Sequence, residues 1–262
     1  MHPTMGIKQI LLKLLGEKRY LSLLAGSFQR LYPTGKLGLN YQDVYFLKNI
    51  IEKGAYCADI GAHLGYYTIE LSRLAGPSGK VIAIEPMPKF NETLGRLLQQ
   101  KKTANVTLLQ VALGGDSEYV EMGIPRVGNI KKFAYARVMK NSEHFQYIES
   151  VKVKNESGDH LFKGLPRLDF IKCDVEGLEV PVFASMLDTL LIHQPILLCE
   201  LVSKDERIRF FDMVSPLGYG AYRLEKGSLY PLDVHSDDVA ISHNHYFIPT
   251  AHQQRLRHLI KV

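Results

Sequence analysis

The sequence predicts an α/β fold: a three-layer, doubly wound, mostly parallel sheet with a helical extension at its N-terminus. Three observations predict it. Short apolar runs recur at 55–60, 81–85, 106–112, 168–174 and 196–201. Segments with helical spacing of apolar residues lie between them. Glycine and proline punctuate the junctions, as at Gly76-Pro77 and Gly114-Gly115. Strands that alternate with helices form right-handed βαβ units, which place a parallel sheet between two helical layers.

The elements follow in order. Residues 6–31 read as helix, with Ile7, Ile10, Leu11, Leu14 and Leu15 at helical spacing, then Leu21, Leu23, Leu24 and Phe28 after a break at Gly16. The polar face carries Lys8, Lys13, Lys18 and Arg19. A basic amphipathic helix packs on its own domain, docks a second copy of the chain, or lies on a membrane surface; the first two are the commoner outcomes. Pro33 and Gly35 mark a loop, and 41–51 read as a short helix leading into the core. After the strand at 55–60, a helix spans 66–74. A strand at 81–85 precedes a helix at 87–100, with Pro88 in its first turn, where proline is tolerated. A third strand spans 106–112.

The rhythm then breaks. Two strands, 119–124 and 150–153, flank a basic and aromatic stretch that contains Arg126, Lys131, Lys132, Tyr135 and Arg137. The alternation resumes with a strand at 168–174, a helix at 179–191, a buried strand at 196–201 and a helix at 204–214, and late strands follow at 220–224 and 245–248. The predicted organisation is an extension over 1–40 and one domain over 41–262, with a substrate-binding insertion at about 117–153.

Composition narrows the function classes. Apolar residues at 46% and charged residues at 23% are ordinary globular usage, enough for a sizeable core. A net charge of +5 without a concentrated Lys/Arg stripe argues against a nucleic-acid partner. Cys57, Cys173 and Cys199 are far apart and inside apolar runs, so neither a zinc site nor a disulfide framework is indicated. No apolar run reaches the roughly 20 residues that span a bilayer, and the first helix lacks a secretory pattern, so the cytoplasm is the expected compartment.

Ligands of such sheets bind at the carboxyl ends of the strands, where strand order reverses. The first strand ends Asp59-Ile60-Gly61-Ala62-His63-Leu64-Gly65. Gly61 permits a tight turn, and Gly65 lets a ligand or the sheet approach the next helix. This is not the Gly-x-Gly-x-x-Gly turn that seats a pyrophosphate. Asp59 just before it welcomes a cationic group and repels a phosphate. S-adenosylmethionine (SAM), with an ammonium, a sulfonium and no phosphate, suits such a turn. Glu85, followed by Pro86, is placed at the second strand end to accept hydrogen bonds from ribose hydroxyls, and Gln110 and Ala112 at the third to face an adenine.

The fourth strand runs into Asp174-Val175-Glu176-Gly177, and the fifth delivers Glu200 to the same edge. Two carboxylates so placed can bind an ammonium, take a hydroxyl proton or hold a divalent cation; either can instead cap the following helix.

Together these segments resemble the FkbM-type methyltransferases, a branch of the class I SAM-dependent, Rossmann-like fold. The residues that carry the resemblance are Asp59 to Thr68, Ile84-Glu85-Pro86, Val111-Ala112-Leu113 and Asp169-Phe170-Ile171-Lys172-Cys173-Asp174-Val175-Glu176-Gly177. The later Pro195 to Glu200 and Tyr246 to Pro249 are also similar. The resemblance implies SAM as cofactor, held by Asp59, Gly61, His63, Gly65, Tyr66, Thr68, Glu85, Pro86, Gln110, Ala112 and Asp174. It implies a small hydroxyl acceptor: a sugar, glycolipid or polyketide-like metabolite. Where the family commonly has Asn in the glycine turn, this chain has His63, which either holds the loop or titrates near the methyl donor.

An alcohol must lose its proton on methylation, so a general base or a metal is expected. The candidates are Asp174, Glu176 and His63, with Glu200 and His245 behind them, or Mg2+ held by Asp174 and Glu200. The acceptor site is expected in 123–150, where the basic and aromatic residues suit an anionic or sugar-like molecule or else form a solvated loop. Two other classes compete. An NAD-dependent oxidoreductase needs the dinucleotide turn and a second nucleotide-binding half, and neither is visible. A non-catalytic SAM-binding protein has no reason to keep the carboxylates at Asp59, Glu85, Asp174 and Glu176.

Overall fold

A computed structural model of the chain describes residues 7–34, 38, 41–115, 117–127, 130–131, 137–138, 146–236 and 243–261, with some side chains within these spans left aside. Helix α1 (Ile7–Leu31) bends at Gly16, whose φ of 71° and ψ of 164° are not helical, so the break that the sequence predicts is present. A short α2 (Gln42–Phe46) leads into β1 (Tyr56–Ile60), α3 (Tyr66–Ala75), β2 (Lys80–Ile84), α4 (Pro88–Lys101) and β3 (Val106–Leu109). The strands β4 (Ala112–Leu113), β5 (Tyr119–Val127), β6 (Ile130–Lys131), β7 (Arg137–Val138) and β8 (Gln146–Glu156) follow, then α5 (Gly158–Phe162). The remainder is β9 (Phe170–Cys173), α6 (Glu179–Ala184), α7 (Leu187–His193), β10 (Ile196–Glu200), α8 (Lys204–Val214), β11 (Tyr219–Glu225), β12 (Ser228–Pro231), β13 (Asn244–Pro249) and α9 (Thr250–Gln253).

The main sheet has eight strands in the order β12-β11-β13-β10-β9-β1-β2-β3. From β3 to β10 neighbours are parallel; β13, β11 and β12 add an antiparallel edge. Period-two alternation assigns each side chain to a face. Ala58, Ile60, Ile171, Cys173, Leu197 and Cys199 pack with Phe183 and Leu190 of α6 and α7 and with Phe210 of α8. Cys57, Val81, Phe170, Ile196 and Leu198 pack on the other side with Val44 of α2 and Leu71 of α3. The result is the doubly wound, three-layer fold that the sequence predicts.

Three elements differ from expectation. The strand expected over 106–112 is two: β3 ends at Leu109, Gln110 turns out to solvent, and β4 joins a second sheet in the order β4-β8-β5-β6, with β7 on β5. The strands of the irregular segment are longer than predicted and pair antiparallel from Tyr119↔Lys154 to Arg126↔Gln146. The helix expected over 179–191 is broken at Ser185-Met186. The Ser185 hydroxyl donates to Val182 O at 2.7 Å and accepts the Gly158 N–H at 3.0 Å, so the chain end of α6 is tied to α5 instead of continuing. Asp159 then accepts the Thr189 N–H at 2.7 Å and starts α7 from 30 residues away.

Helix α1 closes one end of the molecule. Its inner face, with Tyr20, Leu21 and Ala25, packs against Met87 and Leu97 and against Met122 and Val153 of the second sheet. Ion pairs Lys18–Glu92 (2.6 Å) and Glu17–Lys89 (2.5 Å) fasten it to α4. Among the described residues no helix is long and apolar enough to cross a membrane.

Candidate active site

Strand order reverses between β1 and β9. The carboxyl ends of both strands open into a cleft of about 970 Å³, roofed by α1 and the second sheet.

Gly61, at the end of β1, has φ +83°, and its N–H and that of Ala62 both donate to Ile84 O at 3.0 Å. His63 follows with φ +47°. Histidine is among the few non-glycine residues enriched in this left-handed region, as asparagine is, which accounts physically for the exchange at this position. The loop is held by the backbone of His63, whose N–H donates to Glu85 Oε2 at 2.7 Å, and not by its ring. The ring stands edge-on to Phe90 at 4.4 Å, and Nε2 is buried with no partner among the described residues. Burial lowers the ring's pKa to about 4, against the pull of Asp174, so His63 is neutral at pH 7.

Two buried carboxylates flank this turn. Asp59 accepts the hydroxyl of Thr68, and burial raises its pKa to about 6 although Thr68 and Lys172 favour its charge. Glu85 accepts the His63 N–H on one oxygen and the Met87 N–H (2.8 Å) on the other, and burial raises it to about 7. Each of its oxygens keeps a second lone pair for a ligand hydroxyl.

The end of β9 carries a feature that sequence reasoning missed. Lys172 is only 1% exposed, and its Nζ lies 3.5 Å from Asp174 Oδ2 and 3.0 Å from Cys173 O. The face of Tyr67 covers it at 5.2 Å. Burial opposes the ammonium, but Asp174 and Glu200 outweigh burial, so Lys172 stays charged. Asp174 is held low despite its own burial, by Lys172 and by a hydrogen bond with Glu200. Glu200 is raised to about 8, by burial and then by Asp174. The pair therefore titrates as a unit that holds one proton near neutral pH. Mg2+, expected on Asp174 and Glu200, does not fit this donor set, because the buried ammonium of Lys172, 3.5 Å from Asp174 Oδ2, already supplies the countercharge. Among the described residues no group of three or more His, Cys, Asp or Glu side chains is arranged to hold a metal ion.

The turn after Asp174 is also built from behind. Glu176 has φ +58° and Gly177 φ +88°. Neither Asp174 nor Glu176 caps α6 in the manner expected. Glu179, 1% exposed, accepts the Val175 N–H at 2.9 Å and the Gly177 N–H at 3.4 Å, and so bends the turn toward the cleft.

The structure thus brings Asp59, Gly61, His63, Tyr66, Glu85, Pro86, Ala112, Asp174, Glu176 and Glu200 to one cleft. Three of the residues expected to hold the cofactor do not line it. Thr68 is fully buried and spends its hydroxyl on Asp59. At Gly65 a β-carbon would strike the Leu94 side chain, so α4, not a ligand, is what approaches there. Gln110 is exposed because the chain leaves the sheet at Leu109, and Val111 to Leu113 line the cleft in its place. His245 is buried opposite Cys199 and stays outside the lining. Of the residues expected to meet the acceptor, Lys132 and Tyr135 lie outside the described residues, as do the side chains of Arg126, Lys131 and Arg137.

The chain is similar in structure to a methyltransferase FkbM from Methylobacillus flagellatus KT, at 17% identity and a TM-score of 0.52, over 88% of this chain and 50% of that one. It therefore spans half the length of that protein, and at this identity the likeness is one of fold. A precorrin-6y C5,15-methyltransferase from Geobacter metallireducens GS-15 is matched at 15% identity and a TM-score of 0.45, over 78% of this chain and 84% of that one. A SAM-dependent O-methyltransferase from Thermotoga maritima is matched at 14% identity and a TM-score of 0.44, over 84% and 69%. No curated protein matches the chain. The family model described as the methyltransferase FkbM domain matches residues 59–223, which contain the carboxyl ends of β1, β2, β3, β9 and β10. By that match, over more than half its length, the chain belongs to the FkbM methyltransferase family.

Proposed function

We propose that this chain transfers a methyl group from SAM to a hydroxyl oxygen of a small metabolite of the sugar, glycolipid or polyketide-like class. The observation that carries the reading is the position of Asp174: an ionised carboxylate at the switch point, facing the glycine turn and backed by Lys172 and Glu200. The cleft suits SAM. Asp59 and Glu85 offer carboxylates to a cation and to ribose hydroxyls, and Val111 to Leu113 offer an apolar wall to an adenine. The buried Nε2 of His63 awaits a partner there. Lys172 is the one Lys or Arg among the described lining residues, and it is engaged by Asp174, so a dinucleotide's phosphates find no counterion.

When bound, SAM supplies an electrophilic methyl group on a sulfonium. The protein's task is then to align the acceptor, exclude water and take a proton. Asp174 accepts the acceptor's hydroxyl proton as the oxygen gains its methyl group. A carboxylate of low pKa suffices, because the proton becomes strongly acidic as the new C–O bond forms. Lys172 keeps Asp174 ionised between turnovers, and Glu200 holds its orientation through their hydrogen bond. Glu176, on the raised turn beside Asp174, is placed to accept a hydrogen bond from the acceptor.

Calorimetric titration with SAM, S-adenosylhomocysteine and NAD tests the cofactor assignment. The first two should bind and NAD should not; tight NAD binding without SAM binding overturns the reading. A screen of hydroxylated metabolites for a mass gain of one methylene that survives alkaline hydrolysis, as an ether does, tests O-methylation; a new methyl group located on carbon or nitrogen overturns it.

A further inference from the structure

The cleft has a charged side and an apolar side among the described residues. Drug-sized ligands occupy roughly 300–1,000 Å³, and this cleft, at about 970 Å³, stands at the top of that range. Its charged lining comes from the strand ends and the turns that follow them. The roof is different. Among the described residues, α1, β5 and β7 present Leu12, Leu21, Leu24, Met122 and Val138, with the ring of Tyr20 beside them. Leu12, Leu24 and Val138 are only partly buried, so this surface faces the cleft and is not sealed within the core.

We infer that the acceptor carries its hydroxyl on a hydrocarbon-rich body that lies along α1, with the reacting hydroxyl turned down to Asp174. The inference rests on the methyltransferase reading of the same cleft and names the chemistry of its second ligand. A free sugar would set hydroxyl groups against leucine and methionine without hydrogen-bond partners, which is unfavourable. An anion would in addition face Asp59, Glu85, Asp174 and Glu176, with Lys172 already engaged. An alkyl or polyketide-like chain loses only its contact with water. The helical extension, on this view, is a wall of the acceptor site.

The two faces of α1 provide the test. Leu14 points away from the cleft and is 75% exposed, whereas Leu24 lines it. Binding of n-alkyl β-glucosides from hexyl to decyl, below their micellar concentrations, is measured by calorimetry with saturating S-adenosylhomocysteine present. Glucose serves as the chainless reference. Affinity should rise about fourfold per added methylene. Leu24→Gln and Met122→Gln should each flatten that rise, with S-adenosylhomocysteine affinity kept and thermal melting reporting the fold. Leu14→Gln should leave it intact. Affinity independent of chain length, or a rise removed by Leu14→Gln and not by the cleft variants, overturns the inference. Failure of S-adenosylhomocysteine itself to bind overturns the methyltransferase reading beneath it, so the two failures are distinguishable.

Discussion

A β-carbon placed on Gly61 would stand 2.9 Å from the carbonyl carbon of Asp174 and nearer still to its oxygen. The turns that follow β1 and β9 therefore touch, backbone to backbone, at the point where strand order reverses. Gly61→Ala meets two penalties: an unfavourable φ of +83°, about 1–2 kcal/mol, and a clash with a backbone that cannot give way. Gly164→Ala is the matched control, with φ +81° and nothing within 4 Å. We expect Gly61→Ala to melt at the lower temperature and to lose S-adenosylhomocysteine binding, and Gly164→Ala to show only the conformational penalty. Equal losses in both would mean that the contact with Asp174 is not what fixes the turn.

The pairing of Asp174 with Lys172 and Glu200 separates the roles of two neighbouring carboxylates. Asp174→Asn should lower kcat by about 10²–10⁴-fold, the usual range for loss of a positioned acid or base. Glu200→Gln should cost much less, because Glu200 is the protonated partner and an amide still donates to Asp174. Lys172→Met should raise the pKa of Asp174 and shift the acidic limb of the pH–rate profile upward. Exhaustive chelation should leave the rate unchanged. A rate that chelation abolishes and Mg2+ restores would return Asp174 and Glu200 to the role of ligands.

Much of this site is legible in the residues themselves, since strand ends punctuated by glycine and acid announce a ligand edge. What escaped has identifiable causes. Lys172 sits mid-strand in an apolar run, where a lysine normally reads as an edge or surface residue; only its depth beneath Tyr67 and its distance to Asp174 give it meaning. Glu179 looks like an ordinary first-turn acid of α6 and instead reaches back to Val175 and Gly177. Asp159 and Thr189 are 30 residues apart, a contact that no local pattern encodes. Gln110 follows strand alternation on paper, but the chain changes sheets there, and alternation carries no information across such a crossing.

Glu85 fixes the glycine turn from the neighbouring strand, so its charge matters to geometry as well as to ligand. In Glu85→Gln one of the His63 and Met87 N–H groups must face an amide nitrogen. Loss of one charged hydrogen bond is worth about 1.5–3 kcal/mol. SAM should therefore bind more than 10-fold more weakly, and the left-handed His63 should relax. Titration calorimetry reads the first effect and ring-proton chemical shifts of His63 the second. Unchanged affinity would remove Glu85 from the cofactor site.

The buried carboxylates also set opposite pH dependences for folding and for binding. His63 and His245 titrate near 6.5 when unfolded and near 4 in the fold, so the stability they add is complete by about pH 7.5 and they drop out above it. Glu85 ordinarily titrates at 4.5 but at about 7 in the fold, and Glu200 at about 8. In this window the unfolded chain has released both protons while the folded chain still holds them. The folded state binds more protons, so its stability falls as pH rises through about 7 and 8. The melting temperature of the ligand-free protein should fall from about pH 7.5 to pH 9. SAM binding should run the other way between pH 6.5 and pH 8, because ionised Glu85 accepts hydroxyl hydrogen bonds and attracts a cation better than its protonated form does. Glu85→Gln should flatten that rise and leave the part of the melting trend due to Glu200. Affinity for SAM that falls with pH in the wild-type protein would show that Glu85 faces something other than the ligand's hydroxyls and positive charge.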